Sequence, residues 1–251
     1  MSASLLVQDP SDAIDPLELY ASAIDTSDYV SRVAPLVRRY INNSGRLLDV
    51  GAGGGQLGAA LRTPGQPWSA IEPSPIMRRR LGRLHAPPTI IAGDWQSAPI
   101  ESRSHDLVLA ATMPALFDTT GSFLRRCRHW ARRAVVWIVP AHAGPRGLCF
   151  AGCLPSHWHG EDETPGIDIV LRQLAPENRP QEIAFVEWTF SGVVGNLPRL
   201  SGYLADRLGW PATDGRRAEL LAHLAEQSKP DAAGVRLNIP RKSAVLVWRQ
   251  A

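Results

Sequence analysis

No stretch of this chain stays apolar for the roughly 20 residues that a membrane-spanning helix needs. Cysteine is scarce as well: Cys127, Cys149 and Cys153 are the complete set. Three thiols, an odd number, cannot build a disulfide framework, so a reducing cytoplasm is the expected setting. Charge of one sign is also lacking. The net charge is only +3, and the pI near 9.0 reflects arginine usage rather than a strong basic footprint. Residues 1–20, MSASLLVQDPSDAIDPLELY, hold acids and no basic residue, so neither a secretory signal nor a transit peptide is expected. No internal repeat or low-complexity linker interrupts the chain. Its 251 residues, 44% apolar and 20% charged, suffice for one sizeable α/β core. A single domain over 1–251 is expected.

Against these absences stands one glycine-dense stretch, LLDVGAGGGQLGAAL at 47–61. Leu47, Leu48 and Val50 read as a strand, Gly51-Ala52-Gly53-Gly54-Gly55 as a tight turn, and Leu57 to Leu61 as the start of a helix. This is the strand–turn–helix unit of a nucleotide-binding α/β fold. Gly53, Gly55 and Gly58 satisfy the spacing of a dinucleotide fingerprint. A second reading begins at Asp49: the string Asp49-Val50-Gly51-Ala52-Gly53-Gly54-Gly55 resembles motif I of class I S-adenosylmethionine-dependent methyltransferases, acidic-x-Gly-x-Gly-x-Gly.

The later segments fall into the order of that family. Residues 67–72 read as a second strand ending in Glu72, followed by Pro73. An acid at that tip can accept hydrogen bonds from both ribose hydroxyls of a nucleotide. Thr89 to Ala92 reads as a third strand, followed by Gly93-Asp94-Trp95. The resemblance implies that Asp94 accepts from the adenine amine, and Trp95 could pack on the ring. His105 to Ala111 matches the family's fourth strand, where Asp106 has a structural role. Its far end, Ala110-Ala111-Thr112-Met113-Pro114, would border the methyl being moved. It lacks the Asn/Asp-Pro-Pro-Tyr signature, which argues against methylation of a DNA base or a glutamine. Residues 134–140 complete a buried fifth strand. The resemblance covers about 45–140.

The flanks carry what remains. Apolar positions at spacings of three and four predict two helices between Pro16 and Tyr40, the second capped by Ser27 or Asp28. The resemblance places such helices over the cofactor cleft, where they often touch substrate, which makes Tyr20 and Tyr29 candidates for substrate contact. Cys149, Cys153, His157 and His159 could chemically accept zinc, but their spacing is not that of a finger or ribbon, and no metal is expected. His157 and His159 are instead candidate general bases or acceptor contacts. Glu182 to Phe190 alternates as a sixth strand. Two helical stretches follow, expected to form a lid with the N-terminal helices. Val235–Ile239 and Ser243–Trp248 would then make a hairpin-like pair around Pro240-Arg241-Lys242. Two arginine clusters, Arg78 to Arg83 and Arg125 to Arg133, alternate with core positions as solvated helix faces do, and no aromatics interleave them to stack bases.

The expectation is a Rossmann-like α/β fold: a seven-stranded, mostly parallel sheet with an antiparallel C-terminal strand, helices on both faces and a helical lid. It divides into a cap (16–43), a cofactor-binding core (44–140) and a substrate loop, insert and sheet edge (141–251). The resemblance implies a methyltransferase using S-adenosylmethionine, held by Asp49, Gly51, Ala52, Gly53, Gly55, Glu72, Pro73, Asp94, Trp95, Ala110 and Ala111. The expected partner is a small-molecule acceptor offering O, N or C, with neither membrane nor nucleic acid. A nucleic-acid (RNA) methyltransferase and a catalytically silent cofactor-binding protein are the alternatives. A nicotinamide dehydrogenase is a weaker rival, since it assigns nothing to Gly93-Asp94-Trp95.

Overall fold

The computed structural model describes residues 14–40, 45–113, 118–145 and 150–250. Cys149 and Pro114 lie outside them. The N-terminal helices are α1 (Pro16–Thr26) and α2 (Tyr29–Arg38). α1 starts where the sequence dictates: Pro16 brings a preset φ, and the Asp15 carboxylate accepts from Leu17 N and Glu18 N. Then β1 (Leu47–Val50), α3 (Gln56–Leu61), β2 (Trp68–Glu72), α4 (Pro75–Gly82), β3 (Thr89–Ala92), β4 (His105–Ala111), α5 (Thr120–Trp130) and β5 (Ala131–Pro140) follow as βα units. The second half adds α6 (Ser156–His159), α7 (Gly166–Gln173), β6 (Glu182–Val194), α8 (Leu197–Arg207), α9 (Arg216–Gln227), β7 (Ser228–Asp231) and β8 (Gly234–Arg249).

The strands form one eight-stranded sheet in the order β3-β2-β1-β4-β5-β8-β6, with β7 beside β8. β1 to β5 run parallel, while β8 is antiparallel to both β5 and β6. The chain winds outward from β1 through β3, then returns to lay β4 on the other side of β1. The strand order therefore reverses between β1 and β4. The carboxyl ends of those two strands are where an open α/β sheet binds its ligand.

Alternation along the strands divides the core into two layers. Leu47, Leu109, Val136, Ile138 and Val247 pack with α2, α3, α8 and α9 on one face. Leu48, Val108, Val135, Trp137 and Trp248 pack with α5 and α7 on the other. Phe123 and Trp137 meet edge-on at 4.8 Å in the second layer, and both are fully buried.

Two sequence expectations need correction. The segments around Pro240 are not a hairpin pair; β8 runs unbroken from Gly234 to Arg249. A proline is tolerated there because β7 pairs only with 234–237 and β5 only with 243–249, so Pro240 has β6 as its sole neighbour. Locally it is an edge position, where a missing N–H costs little. The actual hairpin joins β7 to β8, a pairing that adds a strand to the expected seven. Asp28 does occupy the N-cap position of α2, yet it makes no cap hydrogen bond. Its Oδ1 accepts from Thr189 N at 2.6 Å instead, and Ser27 Oγ accepts from Ser191 N at 2.8 Å. β6 is the outer strand, and its outward N–H groups need acceptors. Asp28→Ala is thus expected to cost about 1–3 kcal/mol, the penalty of a donor left unpaired. A urea midpoint equal to that of the wild type would refute this.

Candidate cofactor site

The glycine turn is held from below by β2. Gly51 N and Ala52 N both donate to Ile71 O, at 2.8 and 3.2 Å. Gly53, at φ +57°, turns its N–H onto Glu72 Oε2 at 2.7 Å. A side chain there would be strained by that φ but would meet nothing within 4 Å, so the turn exposes bare backbone to open space. Glu72 is buried, and its Oε1 accepts from Ser74 N at 2.8 Å. One carboxylate therefore fixes both the glycine turn and the residue that caps α4. Each of its oxygens keeps a lone pair for a further donor. Pro73 is exposed beside it, and Arg78 donates to both Glu72 O and Pro73 O.

Asp49 lies beneath this turn, 4% exposed. No described residue donates a hydrogen bond to it. Burial, with the Glu72 carboxylate adding to it, pushes its carboxyl up to about 7. Gly58, the third glycine of the dinucleotide-type spacing, has a packing role: a Cβ would land on Asp49 Oδ2 and the Trp68 ring.

Across the strand reversal, Ala110 is buried, and Ala111, Thr112 and Met113 are half-buried at the end of β4. Thr112 sits at φ +50°, a rare place for a β-branched residue. Its Oγ1 accepts from Tyr20 of α1 at 3.2 Å. Met113 covers Gly51, with Sδ 2.6 Å from where a Cβ would be. Tyr20 stacks on Phe190 at 5.8 Å, and Phe190 meets Phe150 at 5.2 Å, giving this end an aromatic wall.

Asp94 is exposed after β3. Its Oδ1 accepts from Gln96 N, Ser97 N and Ser97 Oγ, each at 2.9 Å, bonds that hold the carboxyl below its usual range. That oxygen serves as a turn cap, which leaves Oδ2 for an outside donor. Trp95 is half-buried, edge-on to Phe123 at 5.2 Å. Asp106 binds Arg46 N through Oδ2 at 2.7 Å, a structural contact at the opposite end of β4.

The two histidines lie elsewhere. His157 is exposed on α6. His159 Nδ1 accepts from Glu161 N at 3.1 Å, and its Nε2 lies 3.4 Å from Glu163 Oε1 without hydrogen-bond geometry. Among the described residues, neither shares a hydrogen bond with the glycine turn, Glu72 or β4. Two other residues escaped the sequence reading. Gln56 Nε2 binds Asp25 Oδ1 at 2.7 Å, and Arg80 pairs with Glu18 and Asp25. Together they tie α1 to α3 and α4 beside the turn. No local pattern signals them, because each pairs with a residue more than two elements away in the chain.

Residues 48–137, spanning β1 to most of β5, match the family model described as a methyltransferase domain. Over that stretch, residues 48–137, the chain carries a methyltransferase domain. Among solved structures, a candidate type II methyltransferase from Anaeromyxobacter dehalogenans superposes with a TM-score of 0.53 at 16% identity, over 86% of this chain and 94% of that one. A candidate methyltransferase from Bacillus halodurans does so with 0.50 at 12%, over 87% and 98%. The YcgJ protein of Bacillus subtilis gives 0.50 at 14%, over 86% and 97%. At such identities these likenesses concern the fold alone. No curated protein matches the chain in sequence. The match starts at Leu48 and takes in the glycine turn, Glu72, Asp94 and Trp95, so it settles the opening ambiguity: the turn belongs to a methyltransferase domain rather than a nicotinamide one. Among the described residues, no helix is long and apolar enough to cross a membrane.

Proposed function

We propose that this protein is an S-adenosylmethionine-dependent methyltransferase that acts on an O, N or C nucleophile of a small-molecule acceptor, with 1–251 working as one unit. Bound at the switch point, S-adenosylmethionine would supply an electrophilic methyl group. The residues present fit that cofactor. Bare backbone at Gly53 admits close approach, Glu72 keeps lone pairs for ribose hydroxyls, and Asp49 offers a buried carboxyl to the methionyl ammonium. Asp94 Oδ2 and Trp95 would take the adenine. Because the donor carries its own activation, the protein's part is alignment and exclusion of water. Tyr20, seated on Thr112, and the Phe190–Phe150 wall serve that part, as do the cap and the α8–α9 insert acting as a lid.

The observation carrying the small-molecule reading is where five of the nine arginines in the two clusters go. Arg78 and Arg80 are bound to Glu72 O, Pro73 O, Glu18 and Asp25. Arg126 donates to Ala98 O, Arg128 to Asn178 Oδ1 and Arg132 to Arg103 O. Guanidinium groups engaged with their own chain are poor material for a phosphate track, whose charge must be free to release counterions. Calorimetric titration with S-adenosylhomocysteine, with NAD as control, tests the pocket. Wild type is expected to bind the former alone, and Asp94→Ala to weaken it about tenfold, the worth of one hydrogen bond to a charged group. Methylated product from RNA but from no small acceptor would overturn the acceptor class.

A further inference from the structure

Three large apolar side chains are exposed among the described residues, and two of them share one strand: Ile183 at 40% and Phe185 at 55%, the third being Leu17 of α1. Both lie in the first half of β6, the outer strand of the sheet. Its register with β8 is unbroken from Glu182 to Val194, so every second residue turns its N–H and C=O away from β8. The second half of the strand shows which residues those are. Thr189 N and Ser191 N donate to Asp28 and Ser27, and Ser191 O accepts from Thr26. Counting back by twos, Ile183, Phe185 and Glu187 also face outward, and no described residue bonds their backbone there. Edges of sheets are commonly blunted by a proline, a bulge or a covering element. Residues 183–187 have none of the three. A groove of about 540 Å³ follows this edge, with Pro35 and Leu36 of α2 on one side and Phe185 and Lys242 on the other.

We propose that this edge pairs with the same edge of a second copy of the chain, antiparallel about a two-fold axis at Phe185, so that two sheets become one. The proposal is independent of the cofactor reading. A second copy fits first by length. β6 begins at Glu182, and Asp28 closes its edge at Thr189, so the open ladder is 183–187 and Phe185 is its centre. Pairing about that centre sets Ile183 opposite the partner's Glu187 and Phe185 opposite the partner's Phe185, with about six N–H···O bonds in all. The charges fit as well. In the register with β8, Glu187 stands beside Lys242 and Ile183 beside Leu246. A row across the seam would then run Lys242, Glu187, the partner's Ile183, the partner's Leu246. Each carboxylate keeps its own lysine and meets an apolar side chain, so no like charges face each other. The middle row brings two exposed aromatic rings together and removes them from water. On the face toward α2 the same pairing sets Ala184 against the partner's Val186, both small and apolar.

Sedimentation velocity on the full chain tests this. Wild type is expected to run as a dimer at roughly 100 μM, a concentration that assembles any dimer of micromolar affinity, and to dissociate on dilution. Phe185→Lys and Phe185→Glu each set like charges face to face at the axis. Each alone is expected to be monomeric, with the dissociation constant raised about a hundredfold or more. Mixed in equal amounts, the two variants are expected to regain the dimer, because opposite charges then meet, and that recovery also shows both to be folded. Leu17→Lys, the same kind of change at the other exposed apolar side chain, is expected to leave the dimer intact. A monomeric wild type would overturn the proposal and leave the edge to a different partner. So would a dimer that survives Phe185→Lys, or one lost in Leu17→Lys. A mixture that stays monomeric would overturn it too, since Phe185 would then not face its own counterpart.

Discussion

Glu72→Ala is expected to cost about 3–6 kcal/mol of stability and to abolish measurable binding of S-adenosylhomocysteine. The stability figure is the sum of two charge-assisted hydrogen bonds at about 1.5–3 kcal/mol each. Their donors are Gly53 N at 2.7 Å and Ser74 N at 2.8 Å, both onto a side chain that is 5% exposed. Removing the carboxylate frees the glycine turn at one end and the start of α4 at the other. Ser74 Oγ itself caps that helix through Met77 N at 3.3 Å. Against a typical total of about 5–15 kcal/mol, the loss is a large share. Glu72→Gln should retain roughly half of the stability, since its amide oxygen can serve one donor while its NH2 group must face the other. Urea unfolding and calorimetric titration on the three proteins check the ranking. An alanine variant that keeps both its midpoint and its ligand would show that Glu72 has neither role.

The second large effect belongs to Asp49 and pH. Burial, aided by Glu72, raises its carboxyl from 3.8 to about 7 in the folded protein. The folded state therefore holds a proton between those values that the unfolded chain has released. Its contribution to stability is present in full below about pH 4 and is lost as pH rises through 7. Three units correspond to about 4 kcal/mol. The free protein should accordingly melt lower at pH 8 than at pH 5, relative to Asp49→Asn, in which the slope disappears. Taking the difference between the two proteins cancels His105 and His142, whose folded values burial pushes down and whose effect runs the other way.

Ligand binding reverses the balance, because an ammonium beside Asp49 favours its anion. At pH 6 about 0.9 proton should be released on binding S-adenosylhomocysteine, and at pH 8 about 0.1. Affinity should rise about tenfold over that interval. Calorimetry in buffers of different ionisation enthalpy measures the proton directly. No release at pH 6, or an equal release from Asp49→Asn, would place the ammonium away from this carboxyl.

The legible parts of this protein are those in which neighbours along the chain decide the outcome. The alternation of Val135, Trp137 and Val139 against Ala134, Val136 and Ile138 already announces a strand with two buried faces. The Gly51–Gly55 turn, Glu72 and Asp94 each occur at a strand tip, and their order is that of the βα units. The illegible parts depend on segments far apart in sequence. Pro240 reads as a turn because a proline in a central strand would lose a ladder bond, yet here two neighbouring strands stop short of it. Asp28 reads as a helix cap until β6 arrives with an unpaired N–H at Thr189. The His157–His159 stretch has the composition of a reactive site, but Glu161 and Glu163 occupy His159 within its own loop.

By itself, then, the sequence determined the order of the elements, the faces they bury and the strand tips that carry the cofactor chemistry, because periodicity and turn chemistry act over a few residues. Only the tertiary structure decided which polar groups find partners. Hydrogen bonds such as those to Thr189 and Thr112 join residues brought together by packing, and the same packing left Tyr29 Oη buried with none among the described residues.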